Sequence, residues 1–94
     1  MRIADHTMSE AVRLALGLAH RGFRGRIAAI EVPTKTTDLS PAELERRLVE
    51  LGFIEGAEVE ILHEGLIGRD PIAVRVDGAT VAIRRREAMA ILVS

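Results

Sequence analysis

The residues best suited to metal chemistry lie on one short stretch, where His63 and Glu64 are followed by Asp70. Such side chains supply the nitrogen and oxygen ligands of many transition-metal ions. The other histidines, His6 and His20, are distant in sequence, and no two of the three have the i, i+4 spacing of a helical metal pair. We therefore treat His63, Glu64 and Asp70 as candidate ligands, with ordinary solvated polar side chains as the favoured alternative.

The rest of the sequence shows no catalytic pattern. There is no Cys, which excludes thiolate chemistry and disulfides. Gly22-x-x-Gly25 lacks the Lys-Ser/Thr pair of a phosphate-binding loop. Ser40 is better explained as a helix cap, and the spacing of Glu58 and Glu60 is typical of one solvated strand face rather than of acid–base catalysis. We predict that the protein is not an enzyme and needs no cofactor.

Two bulky aliphatic residues, Leu66 and Ile67, lie between Gly65 and Gly68 in a predicted connection between strands. A connecting residue has little reason to be apolar unless it covers the core or contacts a partner. The sequence favours core cover and leaves partner contact open. Phe53-Ile54, directly after a predicted helix, presents the same choice.

The charges are balanced in number but unevenly placed. The 94 residues carry 13 Lys+Arg and 14 Asp+Glu, and only two are aromatic. Domains that bind nucleic acid usually carry a basic excess and aromatic stacking platforms, so nucleic acid is not expected as a partner. Seven Glu fall between residues 43 and 64, and the basic run Arg84-Arg85-Arg86 follows them. That run either leaves a strand and begins a short helical turn, or contacts an acidic partner.

The clearest local signal predicts a helix over residues 41–51. Ser40 and Glu43 form a Ser-x-x-Glu capping box, with Pro41 at the first helical position. The apolar stripe of this helix consists of Leu44, Leu48 and Leu51. Gly52 then ends the helix, and Phe53 is placed to close over its last turn.

Alternation of apolar and polar residues predicts short strands elsewhere. They are expected at residues 26–32, 57–61, 72–76, 79–84 and 91–93. An Asp77-Gly78 turn of type I′ would pair Val74 with Val81 and Ile72 with Ile83. Five short strands with one inserted helix predict a small β-barrel, because closure removes most exposed strand edges.

Three segments fall outside this pattern. Residues 1–15 are an N-terminal extension of uncertain structure, although Met8–Leu18 is apolar enough to form a helix. Residues 33–39 are predicted to form a loop. The last strand, Ile91–Val93, is expected to be an exposed edge, through which two copies could pair as a homodimer.

Four pieces of sequence, in order, resemble the FeoA family, the small ferrous iron transport protein A. The central piece is Leu48-x-x-Leu51-Gly52-Phe53-x-x-Gly56-x-x-Val59-x-Ile61. Upstream, Gly22-x-x-Gly25-Arg26-Ile27-x-x-Ile30 is similar to the first turn and strand of the family. Downstream, the segment Gly68 to Gly78 and the segment Ala82 to Val93 also match. The resemblance covers residues 16–93 and defines a FeoA-like domain at residues 16–94.

The resemblance implies a Src-homology-3-like (SH3-like) barrel that acts without catalysis. Members of this family are cytoplasmic accessories of a membrane permease, ferrous iron transport protein B, which has a cytoplasmic GTP-hydrolysing domain. On that basis we expect binding to the cytoplasmic part of this permease, without direct insertion into the membrane. The candidate contact residues are Leu66, Ile67, Phe53, Ile54, Arg85 and Arg86. The alternative is a regulatory module that binds a transition-metal ion directly.

Overall fold

The computed structural model describes residues 13–32 and 40–94. In chain order the elements are β1 (Leu14–Ala15), a 3₁₀ turn (Leu16–Leu18), β2 (Arg24–Ile30), α1 (Pro41–Glu50), β3 (Glu58–Ile67), β4 (Asp70–Val76), β5 (Ala79–Ile83), α2 (Arg85–Ala88) and β6 (Ile91–Val93). The predicted loop at residues 33–39 and most of the N-terminal extension lie outside the described residues. The described end of the Met8–Leu18 stretch forms β1 and the 3₁₀ turn rather than an α-helix.

The strands form one antiparallel sheet in the order β1-β6-β2-β3-β4-β5. The predicted class, mainly β with one inserted helix, is confirmed, but the described residues contain six strands rather than five. The additional strand is β1, which pairs Leu14 with Val93 and Ala15 with Leu92. Two residues are too few to show an alternating pattern, so the sequence carried no signal for this strand.

One apolar core is formed by side chains from the sheet and from helix α1. Leu44 and Leu48 of the helix are buried beside side chains from β2 to β6. The largest fully buried side chains are Phe53, Leu16, Leu44, Leu48, Ile61, Ile72, Ile91, Val74, Val76 and Val93. Burying each large aliphatic side chain contributes about 1.5–3 kcal/mol, so this cluster holds the hairpins and the helix in place.

Both ends of α1 have the predicted caps. The backbone N–H of Glu43 donates to Ser40 Oγ at 3.2 Å, and the Ser40 N–H donates to Glu43 Oε1 at 3.2 Å. The Ser40 N–H and the Ser40 hydroxyl, which donates to the same Glu43 Oε1 at 3.1 Å, hold the pKa of Glu43 below its ordinary value. At the other end Gly52 has a φ of 105°, and the Phe53 N–H donates to the Leu48 carbonyl at 3.0 Å. The helix therefore ends in a glycine cap, as predicted.

We expect Ser40→Ala to lower the free energy of unfolding by about 1 kcal/mol, because the N–H of Glu43 loses its acceptor. Urea denaturation followed by circular dichroism measures the change. Ser40→Asp restores a capping oxygen and should recover most of the loss. An unchanged urea midpoint in Ser40→Ala would contradict a stabilising role for this cap.

The two β-hairpins differ in how well the sequence predicted them. Asp77 and Gly78 have φ values of 50° and 82°, and the pairs Val74–Val81 and Ile72–Ile83 form as expected. In contrast, β3 continues to Ile67, through a segment that was predicted to be a loop. Two register shifts in its pairing with β4 interrupt the alternation there, and this irregularity hid the second half of the strand.

Strand β6 is not an edge strand, so the predicted homodimer through Ile91–Val93 is wrong in its geometry. Val93 pairs with Leu14 on one side and with Ile27 on the other. Within the described residues, β1 and β5 are the outermost strands. This error and the prediction of five strands have the same cause, which is that β1 was not predicted. Strand β1 covers the side of β6 that was expected to be open.

Candidate partner-binding surface

The end of the β3–β4 hairpin carries the most exposed apolar side chains in the described residues. Leu66 and Ile67 have relative exposures of 102% and 88%. Ile67 pairs with Asp70, and Gly68 and Arg69 form the intervening turn with φ values of 67° and 60°. We call Leu66 and Ile67 the hairpin tip. Their exposure shows that the prediction of core cover is wrong, and contact with a partner stays a prediction.

The shape of the hairpin depends on Gly65, which precedes the tip. Between Glu64 and Ile67 the pairing with β4 shifts, so β3 contains an extra residue there. A Cβ atom at Gly65 would collide with the Asp70 carbonyl oxygen on the facing strand. The absence of a side chain at Gly65 therefore allows the strands to approach closely while both tip residues project into solvent.

The turn end of the hairpin is held by the guanidinium of Arg85. Its Nε donates to the Arg69 carbonyl at 2.8 Å. Its Nη1 donates to the carbonyls of Gly17 at 3.0 Å and Ala19 at 2.6 Å. Its Nη2 donates to Glu64 Oε2 at 2.5 Å. One side chain thus links the hairpin, the 3₁₀ turn and helix α2.

These contacts change the role predicted for the basic run. The Arg85 side chain is only 17% exposed, and the hydrogen bonds to carbonyls and to Glu64 use its guanidinium, so Arg85 is not available to a partner. The predicted helical turn is present as α2, which begins at Arg85. Arg84 and Arg86 are exposed, and Arg86 therefore stays a candidate contact residue.

The sequence did not single out Leu18, a further exposed aliphatic residue beside the Arg85 contacts. Leu18 is 62% exposed, although its neighbours Leu16 and Ala19 are buried. Arg85 binds the carbonyls on either side of Leu18 and also the carbonyl of Arg69 in the hairpin turn. The preceding sequence is apolar nearly all round, so no periodicity could have shown which residue faces solvent.

Of the predicted pair after helix α1, only the second residue is at the surface. Phe53 is fully buried, whereas Ile54 is 46% exposed. Phe53 follows the glycine cap of α1, and its ring lies in the core cluster with Leu48. Phe53 as a partner-contact residue is therefore wrong, and Ile54 stays a candidate.

The predicted metal ligands serve other purposes. Glu64 binds Arg85, and Asp70 Oδ1 accepts a hydrogen bond from the backbone N–H of Arg85 at 2.9 Å. His63 is exposed on the neighbouring position of the same strand, and successive strand residues point to opposite faces. Over residues 13–32 and 40–94 there is no group of three His, Asp or Glu side chains that could hold a metal ion.

We expect His63→Ala to leave the heat of any Zn²⁺, Mn²⁺ or Fe²⁺ binding unchanged, because His63 belongs to no group of three potential ligands within the described residues. Isothermal titration calorimetry of the variant and the wild type compares them directly. The matched control is His20→Ala, which removes the other described histidine. A wild-type signal that disappears only in His63→Ala would contradict the expectation.

The pKa of Glu64, the carboxylate that binds Arg85, is shifted. Burial alone would raise its pKa, but the hydrogen bond with His20 and the charges of Arg85 and Arg69 outweigh that effect. The pKa of Glu64 therefore lies below its ordinary value of 4.5. His20 Nδ1 lies 3.3 Å from Glu64 Oε2 and donates when its proton is on that nitrogen.

This lowered pKa predicts an acid-dependent contribution to stability. The contribution of the Glu64 carboxylate is fully present above its ordinary pKa of 4.5 and is lost as the pH falls through the lower folded-state value. Glu64→Gln should therefore be less stable than wild type near pH 7. The difference in the free energy of unfolding should shrink as the pH falls below 4.5, through the folded-state pKa of Glu64. Urea unfolding at several pH values tests this. A difference that does not depend on pH would contradict it.

The acidic middle of the sequence lies partly on a solvated, mixed-charge sheet face. Arg26 Nη2 lies 2.8 Å from Glu58 Oε2, and Arg75 Nη1 lies 3.6 Å from Glu60 Oε1. These groups line a shallow groove of about 400 Å³ together with Arg24. Exposed ion pairs of this kind contribute little to stability, and the face offers no excess of either charge.

Among the described residues, six antiparallel strands and one main helix define a small domain of SH3-like fold. Residues 14–94 match the family model described as the FeoA domain, and the chain therefore belongs to the FeoA family. This family is associated with ferrous iron transport. No individual curated protein sequence matches the chain.

Solved structures of the family have the same fold. The FeoA-like protein of Clostridium acetobutylicum is 27% identical, with a TM-score of 0.71 over 87% of this chain and 85% of that one. FeoA of Chlorobium tepidum is 31% identical, with a TM-score of 0.67 over 85% and 68%. FeoA of Stenotrophomonas maltophilia, a zinc complex, is 28% identical, with a TM-score of 0.66 over 84% and 87%. The last is described as a procaryotic SH3 domain protein and a candidate ferrous iron transport activating factor.

Proposed function

We propose that this chain is a non-catalytic cytoplasmic accessory protein of ferrous iron transport. It binds the cytoplasmic part of a ferrous iron permease, ferrous iron transport protein B, and modulates it. Family membership supports the link to iron transport. In the described part of the chain no helix is long and apolar enough to cross a membrane.

The observation that carries this proposal is the hairpin tip. Leu66 and Ile67 are almost completely exposed, yet the hairpin beneath them is fixed by Arg85 and by the close approach at Gly65. A rigid apolar projection loses little conformational freedom when it enters a pocket. Burying each of the two side chains would contribute about 1.5–3 kcal/mol, which is enough to make the tip the centre of an interface.

The test is binding of the purified cytoplasmic part of the permease to immobilised protein. Leu66→Asp/Ile67→Asp should weaken binding about a hundredfold, since charged side chains would have to be buried in an apolar pocket. Because both positions are exposed, far-UV circular dichroism should not change. Ile54→Asp should have a smaller effect, as Ile54 is already half-buried.

The matched control is Val49→Asp, an exposed aliphatic on α1, which should bind as wild type does. Undiminished binding by the hairpin variant would overturn the assignment of the surface. Absence of binding by the wild-type chain would overturn the proposed function.

The alternative, a regulatory module that binds a transition-metal ion directly, is less well supported by the described residues. Two of its three candidate ligands, Glu64 and Asp70, are bound to groups of Arg85. A metal ion would have to displace these contacts, at a cost in stability. The calorimetric comparison of His63→Ala with wild type separates this alternative from the accessory function.

A further inference from the structure

Three arginines line a second groove, whose described lining does not include Leu66 or Ile67 of the hairpin tip. Arg47 belongs to α1, Arg84 follows β5, and Arg86 belongs to α2. The groove has a volume of about 310 Å³, and its remaining lining consists of Pro71, Ala82, Ile83 and Glu87. We call it the arginine groove. The sequence grouped Arg84 with Arg86 but gave no reason to add Arg47, which is distant along the chain.

The arginine groove has an excess of positive charge. Among the described residues that line it, Glu87 is the only carboxylate, and that side chain is 12% exposed. Glu87 Oε1 accepts a hydrogen bond from the Arg84 N–H at 3.4 Å, and Oε2 lies 3.9 Å from Arg47 Nη1. Within the described residues, Arg84 and Arg86 form no ion pair. Two guanidinium groups are thus available to an anionic ligand.

The groove lies at the end of an outermost strand. Among the described residues β5 pairs only with β4, and its other edge has no strand beside it. In an antiparallel hairpin closed by two residues, the pair flanking the turn is hydrogen-bonded and the next pair is not. The N–H and C=O groups of Thr80 and Ala82 therefore point away from β4. Ala82 also lines the groove.

We propose that the outer edge of β5 and the arginine groove bind an extended acidic segment of another protein. The segment adds as a further antiparallel or parallel strand, and its backbone bonds the free groups of Thr80 and Ala82. Its carboxylates pair with Arg84 and Arg86, as guanidinium forks match carboxylates well. This site is separate from the hairpin tip and does not require that the permease be the partner.

The backbone around the groove favours a carboxylate-bearing strand over a phosphate group. Phosphate sites commonly use free backbone N–H groups. Here the Arg84 N–H donates to Glu87 and the Arg85 N–H donates to Asp70, so these amides are already occupied. None of the described residues that line the groove is an aromatic side chain on which a nucleic-acid base could stack.

The probe is a fluorescein-labelled peptide of alternating Glu and Val, which is acidic and prone to extended structure. Fluorescence anisotropy with the full chain should show saturable binding that weakens as salt is raised. Arg84→Gln/Arg86→Gln should weaken binding at least about tenfold, which corresponds to two lost charge-assisted contacts. The matched control, Arg21→Gln/Arg24→Gln, removes two exposed arginines elsewhere and should bind as wild type does.

Strand addition has its own readouts. A peptide with Pro in place of its central Val lacks an N–H and should bind at least about tenfold more weakly. In the complex, amide hydrogen exchange of Thr80 and Ala82 should slow, because their N–H groups gain acceptors.

Four outcomes would overturn the proposal. They are equal binding by Arg84→Gln/Arg86→Gln, equal binding of the Pro peptide, displacement of the peptide by millimolar inorganic phosphate, and tighter, groove-dependent binding of single-stranded DNA. None of them involves Leu66 or Ile67, so the Leu66→Asp/Ile67→Asp binding experiment tests the hairpin tip separately from the arginine groove.

Discussion

Arg85→Ala is expected to lower the free energy of unfolding by about 3 kcal/mol or more, since each of its three bonds to carbonyls contributes about 1 kcal/mol. Those carbonyls belong to Gly17, Ala19 and Arg69. The substitution also leaves Glu64 without its closest cationic partner. The effect is large because one side chain satisfies acceptors in segments that have few other contacts with each other.

Urea denaturation of Arg85→Ala measures this loss, and two further variants serve as controls. Arg86→Ala removes an adjacent, exposed arginine and should change stability by less than about 0.5 kcal/mol. Arg85→Lys keeps the charge but not the planar fork, so it should recover only a minor part of the loss. If Arg85→Ala were as stable as Arg86→Ala, the structural role of Arg85 would be refuted.

The same variant should also weaken binding of the permease without changing the hairpin tip itself. When the link to Arg69 is lost, the hairpin keeps its Leu66 and Ile67 side chains but not their fixed position. Hydrogen exchange of the β3–β4 amides should become faster in Arg85→Ala. Unchanged exchange there would show that Gly65 and the strand pairing fix the hairpin on their own.

Phe53→Ala should have the second large effect, a loss of about 3–5 kcal/mol. The ring is fully buried in the core beside Leu48, and its removal leaves a cavity that the surrounding side chains cannot fill. The domain is small, so a loss of this size is a large fraction of its total stability. Thermal and urea unfolding both measure it.

The neighbouring residue provides the control for Phe53→Ala. Ile54→Ala truncates a half-exposed side chain and should cost far less stability, while it removes a candidate contact with the partner. We therefore expect Phe53→Ala to lose binding only in proportion to unfolding. Loss of binding by a fully folded Phe53→Ala protein would restore Phe53 as a contact residue.

Features fixed by neighbouring residues were predictable from the sequence. The cap at Ser40, the end of α1 at Gly52 and the Asp77-Gly78 turn each depend on residues within one turn of the chain, and all three are present. The second half of β3 was not predictable. Its two register shifts interrupt the alternation of apolar and polar residues that identifies a strand. For this reason the sequence predicted that Leu66 and Ile67 lie in a loop, although they belong to β3.

The candidate site was predicted in part for the same reason. Leu66 and Ile67 were noticed as unusual, but their exposure depends on the geometry of the β3–β4 pairing. Arg85 was mistaken for a surface residue because its acceptors at Gly17 and Ala19 lie 68 and 66 positions away. Only the folded chain brings them within hydrogen-bond distance, and no local pattern records such a contact.

The position of β6 has a consequence for synthesis of the protein. The last strand in sequence lies between the first two, and Ser94 exchanges two backbone hydrogen bonds of 3.0 Å with Arg26. Until residues 91–94 have been synthesised, β1 has no partner among the described strands and one side of β2 is open. The two hairpins can form as they emerge, since their contacts are local, but the sheet becomes complete only when residues 91–94 join β1 and β2.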